Sequence, residues 1–149
     1  PPPDGKQVAA QPQRKVSKEA KVDFKDAIKA YEAAKKSGGI TKANCSSLAG
    51  KFADVYASHP KIPEAKFNEG RIYEACGRVR DAERIYQAVV QRHPNFGPAL
   101  NNLGQIYFSR GQLSTAIQYF QKSTAVKNSD AYSNLAVIQR NAAKDGDVS

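Results

Sequence analysis

Three asparagines, Asn68, Asn102 and Asn134, recur at spacings of 34 and 32 residues. A carboxamide both donates and accepts a hydrogen bond, so each could satisfy a backbone peptide group without selecting its side chain. They lie off the apolar stripe of their segments, and the competing use of such a residue is to solvate an exposed helix face. A second chemistry is available to Cys45 and Cys76. If Pro60 occupies the turn between two antiparallel helices, Cys45 stands 15 residues before it and Cys76 stands 16 after it, which places the thiols opposite each other. They could form a disulfide and indicate an oxidising compartment, or serve as small buried apolar fillers. His59 and His93 share the 34-residue spacing, each directly before a proline. That placement suits an imidazole capping the carbonyls at a helix end rather than a metal site.

Catalytic patterns are missing from the sequence. It holds no HExxH, no CxxC, no GxxxxGK loop and no nucleophile paired with a base. The expectation is a non-enzymatic protein with no cofactor, no metal and no small-molecule substrate.

The elements that carry these residues are helices in tandem. Leu100, Leu103, Gly104 and Tyr107 follow i, i+3, i+4, i+7 spacing, as do Leu113, Ala116, Ile117 and Phe120 after a break at Gly111. Shifted by 34 residues, Gly70 falls on Gly104, Tyr73 on Tyr107, Gly77 on Gly111, Ala82 on Ala116 and Tyr86 on Phe120. A self-similarity of this period means stacked helix hairpins. Small residues let two helices approach closely while the rings fill the space beside them.

At these positions the chain resembles the tetratricopeptide repeat family, whose pattern runs through an aromatic or Leu, Leu-Gly, Tyr, Ala, Phe and Pro. Leu103-Gly104, Tyr107, Ala116 and Phe120 satisfy it in one unit; Gly70, Tyr73, Ala82, Tyr86 and Pro94 satisfy it in the unit before. Glu69 stands where Leu is expected, Lys66 where an aromatic is, and Asn128 where Pro would close the later unit. The resemblance implies an all-α superhelix of about three hairpins plus a C-terminal helix. It also implies that the Asn68, Asn102, Asn134 side lines a concave groove that holds an extended peptide. Phe67, Arg71, Asn101, Gln105, Phe108 and Arg140 would then set selectivity. Arg71 and Arg140 stand apart with Asn and Gln between them, unlike the clustered Lys and Arg of the subfamily that grips chaperone C-termini.

Residues 1–16, rich in Pro, Gln, Lys and Ala, read as a disordered linker. The array occupies 17–149, with hairpins expected at about 17–60, 63–94 and 97–128 and a terminal helix at about 130–142. Ser17 can cap the first helix, from Lys18 to about Lys36, and its partner runs from about Asn44 to Ser58. Tyr31 lies 21 residues before Phe52, whereas Tyr73 lies 13 before Tyr86, so about eight extra residues lengthen the first helix or its turn. The terminal helix either covers the last apolar face or opens a fourth repeat.

The formal charge of +9 is spread out: residues 1–36 carry nine basic against five acidic residues, a surplus of four, and the rest of the chain carries the other five. That distribution fits solvated helix faces or an acidic partner better than nucleic acid. Together these readings give a non-catalytic scaffold for a protein or peptide partner. The leader resembles the tether of envelope lipoproteins in pilus-assembly, secretion or motility systems, implying a periplasmic or other extracytoplasmic setting, with the cytoplasm as alternative. Any membrane attachment would come through an N-terminal anchor outside this sequence. A targeting module of a larger enzyme and a basic helical-repeat RNA binder are the alternatives.

Overall fold

The computed structural model describes residues 16–126, and within them the chain forms six α-helices and no strand. They are α1 (Lys18–Lys36), α2 (Cys45–Ser58), α3 (Pro63–Ala75), α4 (Val79–Arg92), α5 (Gly97–Ser109) and α6 (Leu113–Ala125). The terminal helix expected at 130–142, the leader up to residue 15, Asn134 and Arg140 lie outside the described residues.

Local signals set the helix ends. The Ser17 hydroxyl accepts the Ala20 backbone N–H at 3.1 Å, which caps α1. Proline stands in the first turn of α3 and of α5, where no intrahelical N–H is required. At the end of α3, Gly77 adopts φ 84°, the Gly77 N–H bonds the Glu74 carbonyl at 3.0 Å, and the Arg78 N–H bonds the Tyr73 carbonyl at 2.8 Å. Gly111, Gln112, Phe108 and Tyr107 repeat this arrangement after α5. A left-handed glycine with that bond pair is the Schellman stop, and it reverses the chain within three residues. Each three-residue turn forces its two helices to lie antiparallel.

The first hairpin differs, and the extra residues go to both places available to them. α1 has 19 residues against the 13 of α3 and α5, and a longer loop, 37–44, leads to α2. That loop is tied by Asn44, whose Oδ1 accepts the Thr41 N–H at 2.8 Å and whose Nδ2 donates to the Gly39 carbonyl at 3.0 Å.

Packing runs between successive helices: α1 on α2, α2 on α3, α3 on α4, α4 on α5 and α5 on α6. The second helix of each hairpin therefore also supports the first helix of the next, as stacked repeats require. Phe52, Tyr86 and Phe120, spaced 34 apart, are each at most 1% exposed and form the spine. Around them one core gathers Phe24, Leu48, Val55, Ile62 and Ile72, and the next gathers Phe67, Val89, Leu103 and Ile106. Val16, at the end of the expected linker, packs against the first.

The two repeat junctions are held by different chemistry at equivalent places. Between α2 and α3, Cys45 is joined to Cys76 in a disulfide with a Cα–Cα distance of 6.2 Å. Thirty-four residues on, Cys76 becomes Arg110 and Cys45 becomes Val79. There Arg110 Nη1 lies 2.7 Å from Glu83 Oε1, and the Tyr107 hydroxyl donates to Glu83 Oε2 at 2.9 Å. That bond comes first in holding the Tyr107 hydroxyl above its usual range, with burial second.

Candidate functional site

α1, α3 and α5 are the first helices of the three hairpins, and the candidate residues sit on α3 and α5. A pocket of about 90 Å³ opens between α1 and α3. Ile28 and Tyr31 of α1 form one wall; Asn68, Arg71, Ile72 and Ala75 of α3 form the other, with Phe52 of α2 at the back. Arg71 and Ala75 are exposed, whereas Phe52 and Ile72 are buried. The arrangement is an apolar floor with a carboxamide in the wall and a guanidinium at the mouth. Among the described residues Arg71 makes no hydrogen bond or ion pair. A larger recess of about 280 Å³ lies along α1 and α2, lined by Asp23, Asp26, Lys51 and Asp54, and takes in none of the expected groove residues.

One repeat further on, the ring equivalent to Phe52 is Tyr86. Its hydroxyl donates to Glu74 Oε1 at 2.5 Å and accepts from Asn102 Nδ2 at 3.2 Å, a polar chain running from α5 through α4 to α3. Burial, and then the Glu74 carboxylate, hold the Tyr86 hydroxyl far above the usual phenol range. It is a permanent neutral donor.

The structure corrects several expectations. Asn68 and Asn102 are not simply off the core: Asn68 is 5% exposed, and half-buried Asn102 spends one amide hydrogen on Tyr86. The reason is that stacking covers the flank of each first helix with its neighbour, a contact that a single-helix projection omits. Phe67 does not face a partner. It is 1% exposed, 5.4 Å from the Tyr86 ring and 5.5 Å from the Phe96 ring, centroid to centroid. Asn101 is likewise buried, so neither residue can select a ligand by direct contact. Gln105 is exposed and Phe108 half-buried beside Ile117 and Phe120. The histidine rings also differ from expectation: His59 Nε2 lies 2.9 Å from Asp23 Oδ2, and His93 Nε2 lies 3.2 Å from the Tyr56 hydroxyl. Their backbone N–H groups close the helix ends on Val55 and Val89. Among the described residues no group of three or more His, Cys, Asp or Glu could hold a metal ion.

Sequence reasoning missed the α1 wall of the pocket. The echo of Tyr73-Glu74-Ala75 in Tyr31-Glu32-Ala33 held the signal, because it makes Tyr31 the counterpart of a residue at a repeat junction.

Residues 67–136 match the tetratricopeptide repeat family. The match includes Gly70, Tyr73, Ala82, Tyr86, Gly104, Tyr107, Ala116 and Phe120, the residues that form the hairpin contacts. Over these residues, a little under half of the chain, the sequence is similar to tetratricopeptide repeats. It is 33% identical over 84 residues to human Tetratricopeptide repeat protein 6, an alignment covering 53% of this chain and 16% of that protein. The chain thus spans about a sixth of that relative's length. Tetratricopeptide repeats are in general protein–protein interaction scaffolds and typically non-catalytic.

Proposed function

We propose that this tetratricopeptide array is a non-catalytic scaffold that binds an extended segment of a partner protein along the face formed by α1, α3 and α5, within an extracytoplasmic multiprotein assembly. The observation that carries the reading is the pocket between α1 and α3, where apolar Ile28, Tyr31 and Phe52 meet the carboxamide of Asn68 and the exposed guanidinium of Arg71. A concave apolar recess with a few convergent polar groups is the usual form of a binding site. Gln105 continues the exposed polar line onto α5. The Cys45–Cys76 disulfide supports an oxidising compartment such as the periplasm, because cytosolic thiols are kept reduced.

Site-directed photo-crosslinking in the organism that encodes the protein tests the interaction. A photoreactive residue at Arg71 or Gln105 should trap the partner, while one at Gln87 or Gln121, exposed on the second helices, should not. Adducts from 87 and 121 alone would move the binding face to the other side of the array. Alkylation of the protein in intact cells tests the compartment, and two free thiols would remove its main support.

A further inference from the structure

We infer that the pocket between α1 and α3 selects a branched aliphatic side chain that has an aspartate or glutamate within two positions of it; the inference rests on the peptide-groove reading above and names what that groove prefers. Size comes first. A cavity of about 150 Å³ accepts benzene, so one of about 90 Å³ favours a side chain of three or four carbons over a larger ring. The lining favours such a group, since Ile28, Tyr31, Phe52 and Ile72 offer carbon surface on three sides.

Charge comes second. Arg71 stands at the mouth with no ion pair among the described residues. On the opposite wall the Lys35 ammonium lies 5.4 Å from the centroid of the Tyr31 ring, so a second cation flanks the recess from α1. Two positive groups on either side of an apolar slot, in a chain of net charge +9, repel a basic segment and attract an acidic one. An extended peptide advances about 3.3 Å per residue, so a carboxylate within two positions of the seated aliphatic group can reach Arg71.

The next junction explains why the preference is local. There the ring behind the seam is Tyr86, already bonded to Glu74 and Asn102, and the position equivalent to Arg71 is Gln105. The second step therefore offers neutral polar contacts where the first offers an apolar slot between cations.

A random decapeptide display library selected on the full chain, followed by fluorescence anisotropy of the enriched peptides, tests this. Leu, Ile or Val with a nearby Asp or Glu should be enriched. Arg71→Glu should weaken the winning peptide at least about tenfold, the size expected for one lost charge-assisted bond, and should shift selection towards Lys and Arg. Ala75→Leu, which narrows the mouth, should weaken it without changing the charge preference. Both positions are exposed, so melting temperatures should match the parent. Peptides that bind with no aliphatic-acidic pattern, or that ignore both substitutions, overturn the inference while the groove reading stands. Loss of every peptide, together with adducts at Gln87 and Gln121 but not at Gln105, overturns the groove reading and the inference with it. A dimer of the chain that Ala75→Leu dissociates would assign the pocket to a second copy and overturn the inference as well.

Discussion

A Cβ built on Gly104 would stand 2.4 Å from Cε1 of Phe120, and one on Gly70 would stand 2.6 Å from Cε1 of Tyr86. The 34-residue recurrence of this Gly-aromatic pair thus records one contact made twice: the two helices of a hairpin close on a ring that leaves no room for a methyl group. Gly104→Ala and Gly70→Ala should each destabilise the fold by about 1–3 kcal/mol through overpacking. Gly50, inside α2 with nothing within 4 Å of its added Cβ, is the control. Gly50→Ala should stabilise by about 0.5–1 kcal/mol from helix propensity alone. Chemical denaturation of the three variants checks the signs; a stabilised Gly104→Ala protein would refute the close approach.

The disulfide and the Arg110–Glu83 pair occupy equivalent junctions, yet they should differ in what they contribute. The Cys45–Cys76 bond spans a sequence separation of 31, for which the chain-entropy account gives about 3–4 kcal/mol. Double substitution with serine should lower the unfolding free energy by that order. Arg110→Ala removes a half-exposed pair and should cost about 0.5–1 kcal/mol. Equal losses in paired denaturation curves would contradict this ordering.

Glu69 occupies the place that Leu103 fills in the next repeat. It is 8% exposed, its Oε1 has no hydrogen-bond partner, and Lys66 Nζ lies 3.8 Å away. Burial raises its carboxyl above the ordinary 4.5, and Lys66 offsets only part of the rise. The folded state therefore holds the proton more tightly than the unfolded state. Stability falls as pH climbs from about 4.5 through the raised folded value, and the penalty is complete above it. Glu69→Leu should raise stability by about 1–3 kcal/mol at pH 7 through added apolar burial and relief of that penalty, with a smaller gain at pH 4. Thermal melts at the two pH values decide it, and a gain that grows on acidification would be the wrong sign.

The hydroxyl of Tyr86 links three helices, so its removal should be felt beyond its own contacts. Tyr86→Phe keeps the ring that fits Gly70 but leaves Glu74 and Asn102 without their partner, and should cost about 1–2 kcal/mol. Asn102→Ala should cost about 0.5–1.5 kcal/mol, since the Tyr86–Glu74 bond survives. The double variant should lose less than the sum, because both changes break the same bond. Strict additivity would show that the two groups act independently.

Much of the fold was legible in the residues. The 18–36 helix and its Ser17 cap, the reversals at Gly77 and Gly111, and the ring spine of Phe52, Tyr86 and Phe120 follow from caps, left-handed glycines and periodicity, which are local. The candidate site was less legible. Phe67 and Asn101 looked available because a helical projection treats each helix as if it met one neighbour.

By itself, then, the sequence determined the hairpins, their stacking period and which cysteines could meet, because each depends on spacing along the chain and on residue size. Only the tertiary structure decided which faces remained open. It buried Asn68 and Phe67 in the seam between repeats, and it opened a slot between α1 and α3 beside Arg71. It also gave Asn102 to Tyr86 at the next step. Accessibility is a property of how neighbouring repeats dock, and docking depends on side chains some 30 to 40 residues away that no local pattern contains.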